Sequence, residues 1–124
     1  MLFRSGGAGK QVRDCLHVED LYRLLTVQMA RPEVWDGRVY NVGGGLENSV
    51  SLAELTELCR AETGSAPPID AQPGSSSVDV RIFVTDSSRA ESEFRWRPER
   101  SPGDIVAEVA AWAAAHRSAL EAVL

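Results

Sequence analysis

Strand-forming residues gather in only three short stretches of this 124-residue chain, at positions 12–18, 38–42 and 80–84. A helical pattern follows each. Glu19 and Asp20 put negative charge where a first helical turn favours it, and Leu21, Leu24, Leu25, Gln28 and Met29 follow at helical spacing until Arg31-Pro32 ends the run. Ser51 and Glu54 form a capping box ahead of Leu52, Leu55, Leu58 and Cys59, and Gly64 stands where that helix would stop. Asp86 would cap a short helix reaching Phe94. Ser101-Pro102-Gly103-Asp104 opens the last helix, which should bury Ile105, Val109, Trp112, His116, Ala119 and Val123. The order strand, helix, strand, helix, strand, helix, helix is that of an α/β fold with short parallel strands and flanking helices. The run Ile82-Phe83-Val84 suits a strand covered on both faces. Three such strands under four helices make a thin core, which implies that part of the architecture is missing.

A net charge of −5 is the wrong sign for a nucleic-acid footprint. No apolar run reaches the roughly 18–20 residues of a membrane span, and no secretory signal opens the chain. Cys15 and Cys59 lack metal-ligand spacing and read as small apolar residues in a reducing, cytoplasmic compartment; no metal site is expected. Lys10 is the single lysine beside twelve arginines, a bias that codon usage explains as readily as ligand binding does.

Several segments could carry chemistry. The first ten residues lack any periodic pattern and read as a flexible lead-in; Gly9-Lys10 is followed by Gln11, which breaks the phosphate-loop pattern. Gly43-Gly44-Gly45 follows a strand, but Asn48 stands where a dinucleotide fingerprint needs glycine, so a sharp turn with positive φ is expected. Arg13 and Asp14 read either as an edge-strand ion pair or, for Arg13, as a fork on a phosphate. Asp79 and Arg81 are either solvated strand boundaries or ligand contacts. His17 reads as a core histidine and His116 as a packing or surface residue.

Taken in order, residues 9–21, Tyr40-Asn41-Val42-Gly43-Gly44-Gly45, residues 48–55, residues 79–86 and Trp96-Arg97-Pro98 resemble the C-terminal third of the extended short-chain dehydrogenase/reductases, the NAD-dependent nucleotide-sugar epimerases and dehydratases of the NAD(P)-binding Rossmann superfamily. The Lys10–Asp14 and Asn48–Leu52 phrases look most like the CDP-paratose 2-epimerases.

The resemblance implies a substrate-binding part over residues 9–124, with residues 1–8 a foreign lead-in. Arg13 matches the arginine that grips the diphosphate, while Asp79 and Arg81 would face the nucleotide and sugar. Ser76 stands where relatives have a second arginine. The family's general base and lysine form a Tyr-x-x-x-Lys pair; here Tyr22 is followed four positions on by Thr26 and Tyr40 by Gly44. The implied partners are a CDP-sugar and an absent N-terminal Rossmann half that holds NAD in a homodimeric parent. No cofactor is expected on this chain alone, and no turnover. A 4-epimerase or 4,6-dehydratase fragment, or a non-catalytic binding module, are the alternatives.

Overall fold

The computed structural model describes residues 3–6, 9–72 and 80–122, with side chains described in 9–69 and 80–122. Its strands are β1 (Phe3–Gly6), β2 (Val12–Asp14), β3 (Ser49–Ser51), β4 (Ile69–Gln72) and β5 (Ile82–Phe83). Its helices are α1 (Val18–Met29), α2 (Leu52–Thr63), α3 (Ser88–Phe94), α4 (Pro102–Ala115) and α5 (Arg117–Glu121), with single tight turns at Pro32–Val34 and Leu46–Asn48. The α/β class holds, in mixed form. β2 lies centrally, parallel to β5 and antiparallel to β3, while β1 and β4 form a separate parallel pair.

Both predicted capping boxes are present. Ser51 Oγ accepts from Glu54 N at 3.2 Å, and Glu54 Oε2 accepts from Ser51 N at 2.7 Å. Ser101 and Asp104 repeat the exchange at 3.2 and 2.8 Å, with Pro102 in the first turn, where its missing N–H costs nothing. Gly64 closes α2 at φ 65°. These two helices pack on each other.

Elsewhere local pattern and tertiary context diverge. The first strand stops at Asp14, because His17 accepts from Glu19 N at 3.0 Å and caps α1, drawing Val18 into the helix. Phe3–Gly6 is paired with β4 where a lead-in was expected. Residues 38–42 have no ladder partner among the described residues, although their composition suits a strand. Instead Tyr40 and Val42 pack inward on the core, Tyr40 donates to Glu93 at 2.8 Å, and Val39 is 81% exposed. The third strand shrinks to Ile82–Phe83, and both side chains are exposed rather than covered.

The buried core of the described residues is Leu24, Ala90, Phe94 and Trp96, with Leu16, Val27, Val34, Tyr40 and Val42 against it. Tyr40 meets Phe94 edge-on at 5.1 Å. Only one side of the α1 pattern is used: Asp20, Leu24 and Val27 face inward, while Val18, Leu21, Tyr22, Leu25 and Met29 form an exposed apolar stripe. On the last helix, Val109, Trp112, His116 and Ala119 are likewise exposed, contrary to the expected burial; Val123 lies outside the described residues. The helix ends at His116, whose ring stacks on Trp112 at 4.5 Å, and α5 starts anew. Ser87, not Asp86, is the N-cap of α3; Asp86 accepts from Ser88 N at 3.0 Å.

Candidate functional site

β2 organises the candidate site because consecutive residues of a strand point to opposite faces. Arg13 lies beside Phe83 of β5 and Val50 of β3 on one face, and Val12 and Asp14 take the other. Val12 N donates to Arg81 O at 2.8 Å, which fixes Arg81 at the start of β5. Arg81 itself is a bend residue one position before Ile82, so this bond fixes its carbonyl against β2 while the side chain stands at the lead-in to β5. Both arginines are exposed, and Arg13 Nη1 donates to Val12 O at 2.7 Å. Asp79 lies outside the described residues.

The Arg13–Asp14 ion pair does not form. The Asp14 carboxylate turns away and accepts from Gly45 N at 3.1 Å and from Thr85. Burial pushes its pKa up, but the hydrogen bonds from Gly45 and Thr85 outweigh that, and the net value lies below the ordinary 3.8. Asp14 thus ties β2, the glycine turn and the segment leading into α3, with Arg13 on the opposite face.

The glycine turn closes around this carboxylate. A Cβ on Gly43 would overlap Asp14 Oδ2 and Thr85 Oγ1, and one on Gly44 would overlap Cys15 O. Gly43 N also donates to Ser87 Oγ at 3.0 Å. Of the three glycines only Gly45 has positive φ, at 73°; the other two are demanded by close approach. The turn runs into Leu46–Asn48 and then β3, with no helix N-terminus to receive a pyrophosphate. It therefore does not fit a dinucleotide cradle. Gly9 O is similarly occupied, accepting from Ala53 N at 3.0 Å at the head of α2.

Sequence reasoning missed the buried polar pivot. Asp20 is 1% exposed; its carboxylate accepts from Arg23 at 2.6 Å and from Arg100 N at 3.1 Å, and its carbonyl accepts from Trp96 Nε1 at 2.8 Å. An acid in a first helical turn reads as a dipole partner; the hint of more was the Trp96-Arg97-Pro98 turn far along the chain. His17 is buried as expected, with Nε2 3.0 Å from Glu108 of α4. Because Nδ1 accepts from Glu19 N, the proton in this geometry is on Nε2, directed at Glu108. No group of three or more metal-ligating side chains exists among the described residues, and none of their helices is long and apolar enough to cross a membrane.

No family model matches the chain. It is similar to a CDP-paratose 2-epimerase of Salmonella typhi, 34% identical over 110 residues, covering 89% of this chain and 32% of that protein. It is also 34% identical over 114 residues to a dTDP-glucose 4,6-dehydratase of Streptomyces griseus, covering 90% and 33%. Among solved structures, the UDP-glucose 4-epimerase of Bifidobacterium longum in complex with NAD+ and UDP superposes with a TM-score of 0.76 at 25% identity, over 92% of this chain and 35% of that one. The chain spans about a third of the length of the curated relatives it matches.

Proposed function

This chain belongs to the extended short-chain dehydrogenase/reductase family of nucleotide-sugar epimerases and dehydratases, and we propose that it supplies the nucleotide-sugar-binding C-terminal part of such an enzyme. The observation that carries this reading is the adjacency of two exposed arginines, Arg13 on β2 and Arg81 at the lead-in to the neighbouring β5, held by the bond from Val12 N to Arg81 O at 2.8 Å. A guanidinium fork matches the paired oxygens of a diphosphate, and two on neighbouring segments suit the doubly charged linkage of a nucleotide sugar. Asp79, two positions before Arg81, supplies an acceptor for ribose or sugar hydroxyls. The substrate is a CDP-sugar and the reaction a 2-epimerisation of the CDP-paratose type, carried out in the cytoplasm by a homodimeric parent.

The dinucleotide that supplies redox chemistry in this family is held elsewhere, since the glycine turn that follows the strand-like segment 38–42 is filled by Asp14, Thr85 and Cys15. An N-terminal Rossmann half would cover the α1 stripe and supply strand neighbours to residues 38–42, two surfaces without a partner among the described residues. A dTDP- or UDP-sugar 4,6-dehydratase or 4-epimerase is the second reading, favoured by the equal identity to the dehydratase.

Calorimetric titration of CDP-glucose and UDP-glucose into the chain tests the assignment. We expect saturable binding, tighter for the cytidine compound, weakened at least tenfold by Arg13→Gln and by Arg81→Gln, with no turnover when NAD is added. Absence of binding, or binding indifferent to both substitutions, defeats the site; turnover by the chain alone defeats the division of labour.

A further inference from the structure

We propose that the groove between α1 and the turn closing α3 is a second ligand site, for a phosphorylated polyol whose phosphate is held by Arg95 and Arg97. The groove encloses about 680 Å3, with Tyr22 and Thr26 on one wall and Glu91, Arg95 and Arg97 on the other. It shares no residue with the Arg13 face.

Three observations converge on it. Arg95 is the one non-glycine residue at positive φ among the described residues, at φ 50° and ψ 40°, closing α3. That conformation penalises any side chain, and glycine would end the helix without strain. A strained residue is retained where its side chain is used. Second, Arg23 in the groove is already matched, bonding Asp20 at 2.6 Å and Glu99 at 2.8 Å, whereas Arg95 and Arg97 make no ion pair among the described residues. Third, the backbone under both guanidiniums is fixed. Trp96 between them is buried and bonded to Asp20 O, and Arg97 O accepts from Arg23 at 3.2 Å. An anchored turn under the two side chains confines the ordering cost of binding to the side chains themselves.

Glu91 stands one helical turn before Arg95, its carbonyl accepting from the Arg95 and Trp96 amides. It has no ion pair among the described residues, so a uniformly anionic chain would meet a carboxylate there. A molecule that carries hydroxyl donors close to its phosphate satisfies this wall, the phosphate on the guanidiniums and the hydroxyls donating to Glu91.

The test is an NMR titration of the full chain with glucose 1-phosphate, followed at the Tyr22, Trp96 and Arg97 amides, with inorganic phosphate and glucose as controls. Saturable shifts are expected with glucose 1-phosphate, at least fivefold tighter than with inorganic phosphate. Arg97→Gln should weaken binding at least tenfold. Arg95→Gly should do the same while raising the thermal midpoint by a few degrees, so a folding defect cannot account for the loss. Arg13→Gln should leave this binding unchanged, which separates the groove from the nucleotide-sugar face. Absence of saturable shifts, equal binding of inorganic phosphate, loss with Arg13→Gln, or retention in Arg95→Gly and Arg97→Gln each overturns the proposal.

Discussion

The indole Nε1 of Trp96 donates to the main-chain carbonyl of Asp20 at 2.8 Å, joining residues 76 positions apart in a site nearly sealed from water. The Asp20 side chain extends the junction by accepting from Arg23 and Arg100 N. With a hydrophobic core of only four buried residues among those described, this knot fixes how α1 meets the segment leading into α4. Asp20→Ala leaves Arg100 N without its acceptor and Arg23 with Glu99 alone, and an unsatisfied buried donor costs about 1–3 kcal/mol. That variant should therefore be clearly destabilised, whereas Trp96→Phe, which keeps the ring's packing, should cost about 1 kcal/mol plus the volume lost. Urea titration of the two variants separates these outcomes.

Acid sensitivity follows from the same carboxylate. Burial raises the pKa of Asp20, but hydrogen bonds from Arg23, Arg100 and Glu99 and the Arg23 charge outweigh it, and the net value falls below 3.8. Asp14 behaves alike. A carboxylate whose folded pKa lies below its unfolded one stabilises the fold above the unfolded pKa and loses that contribution as pH falls through the folded value. Stability should be flat from pH 7 to about 5 on account of these groups and drop below about pH 4. Asp20→Asn should be weaker at neutral pH and show a shallower loss on acidification, as read by denaturant midpoints across pH.

The glycine turn separates two kinds of requirement. Gly44 faces Cys15 O so closely that a Cβ would overlap it, against backbone that cannot yield. Gly37 has φ 79°, but a Cβ there would meet nothing within 4 Å. Gly44→Ala should displace the turn from β2 and abolish cooperative unfolding, while Gly37→Ala should cost only the left-handed penalty of about 1–2 kcal/mol. Circular-dichroism melts of both variants distinguish them.

What the chain's own letters disclose is local. Ser51 with Glu54 and Ser101 with Asp104 set two helix starts, because a capping box is complete within four residues. Arg13 and Arg81 can be named from their motif, but their adjacency depends on the register of β5 against β2, which the intervening residues do not encode. Residues 38–42 have a strand's composition and no neighbouring strand among the described residues, since pairing needs a second segment that local pattern cannot supply. Asp20 is legible only as a helix-dipole partner, its true bonds lying with Trp96 and Arg100. Phe3–Gly6 lacks any apolar alternation, yet it pairs with Ile69–Gln72 through backbone groups every residue owns.

The helical period of α1 is legible in its residues and its burial is not, and that difference makes a prediction. Val18, Leu21, Tyr22, Leu25 and Met29 recur every three or four residues on the face opposite Leu24, with Met29 71% exposed. An apolar row of that length on a solvent face is a contact surface waiting for cover. Polar substitutions on an exposed face that packs on nothing stay within about 0.5 kcal/mol of neutral. Leu25→Glu with Met29→Lys should thus leave the urea midpoint nearly unchanged and lower self-association of the chain in sedimentation velocity. Should the pair instead unfold the chain, those side chains would belong to its own core, and no surface would remain there for a Rossmann half to cover.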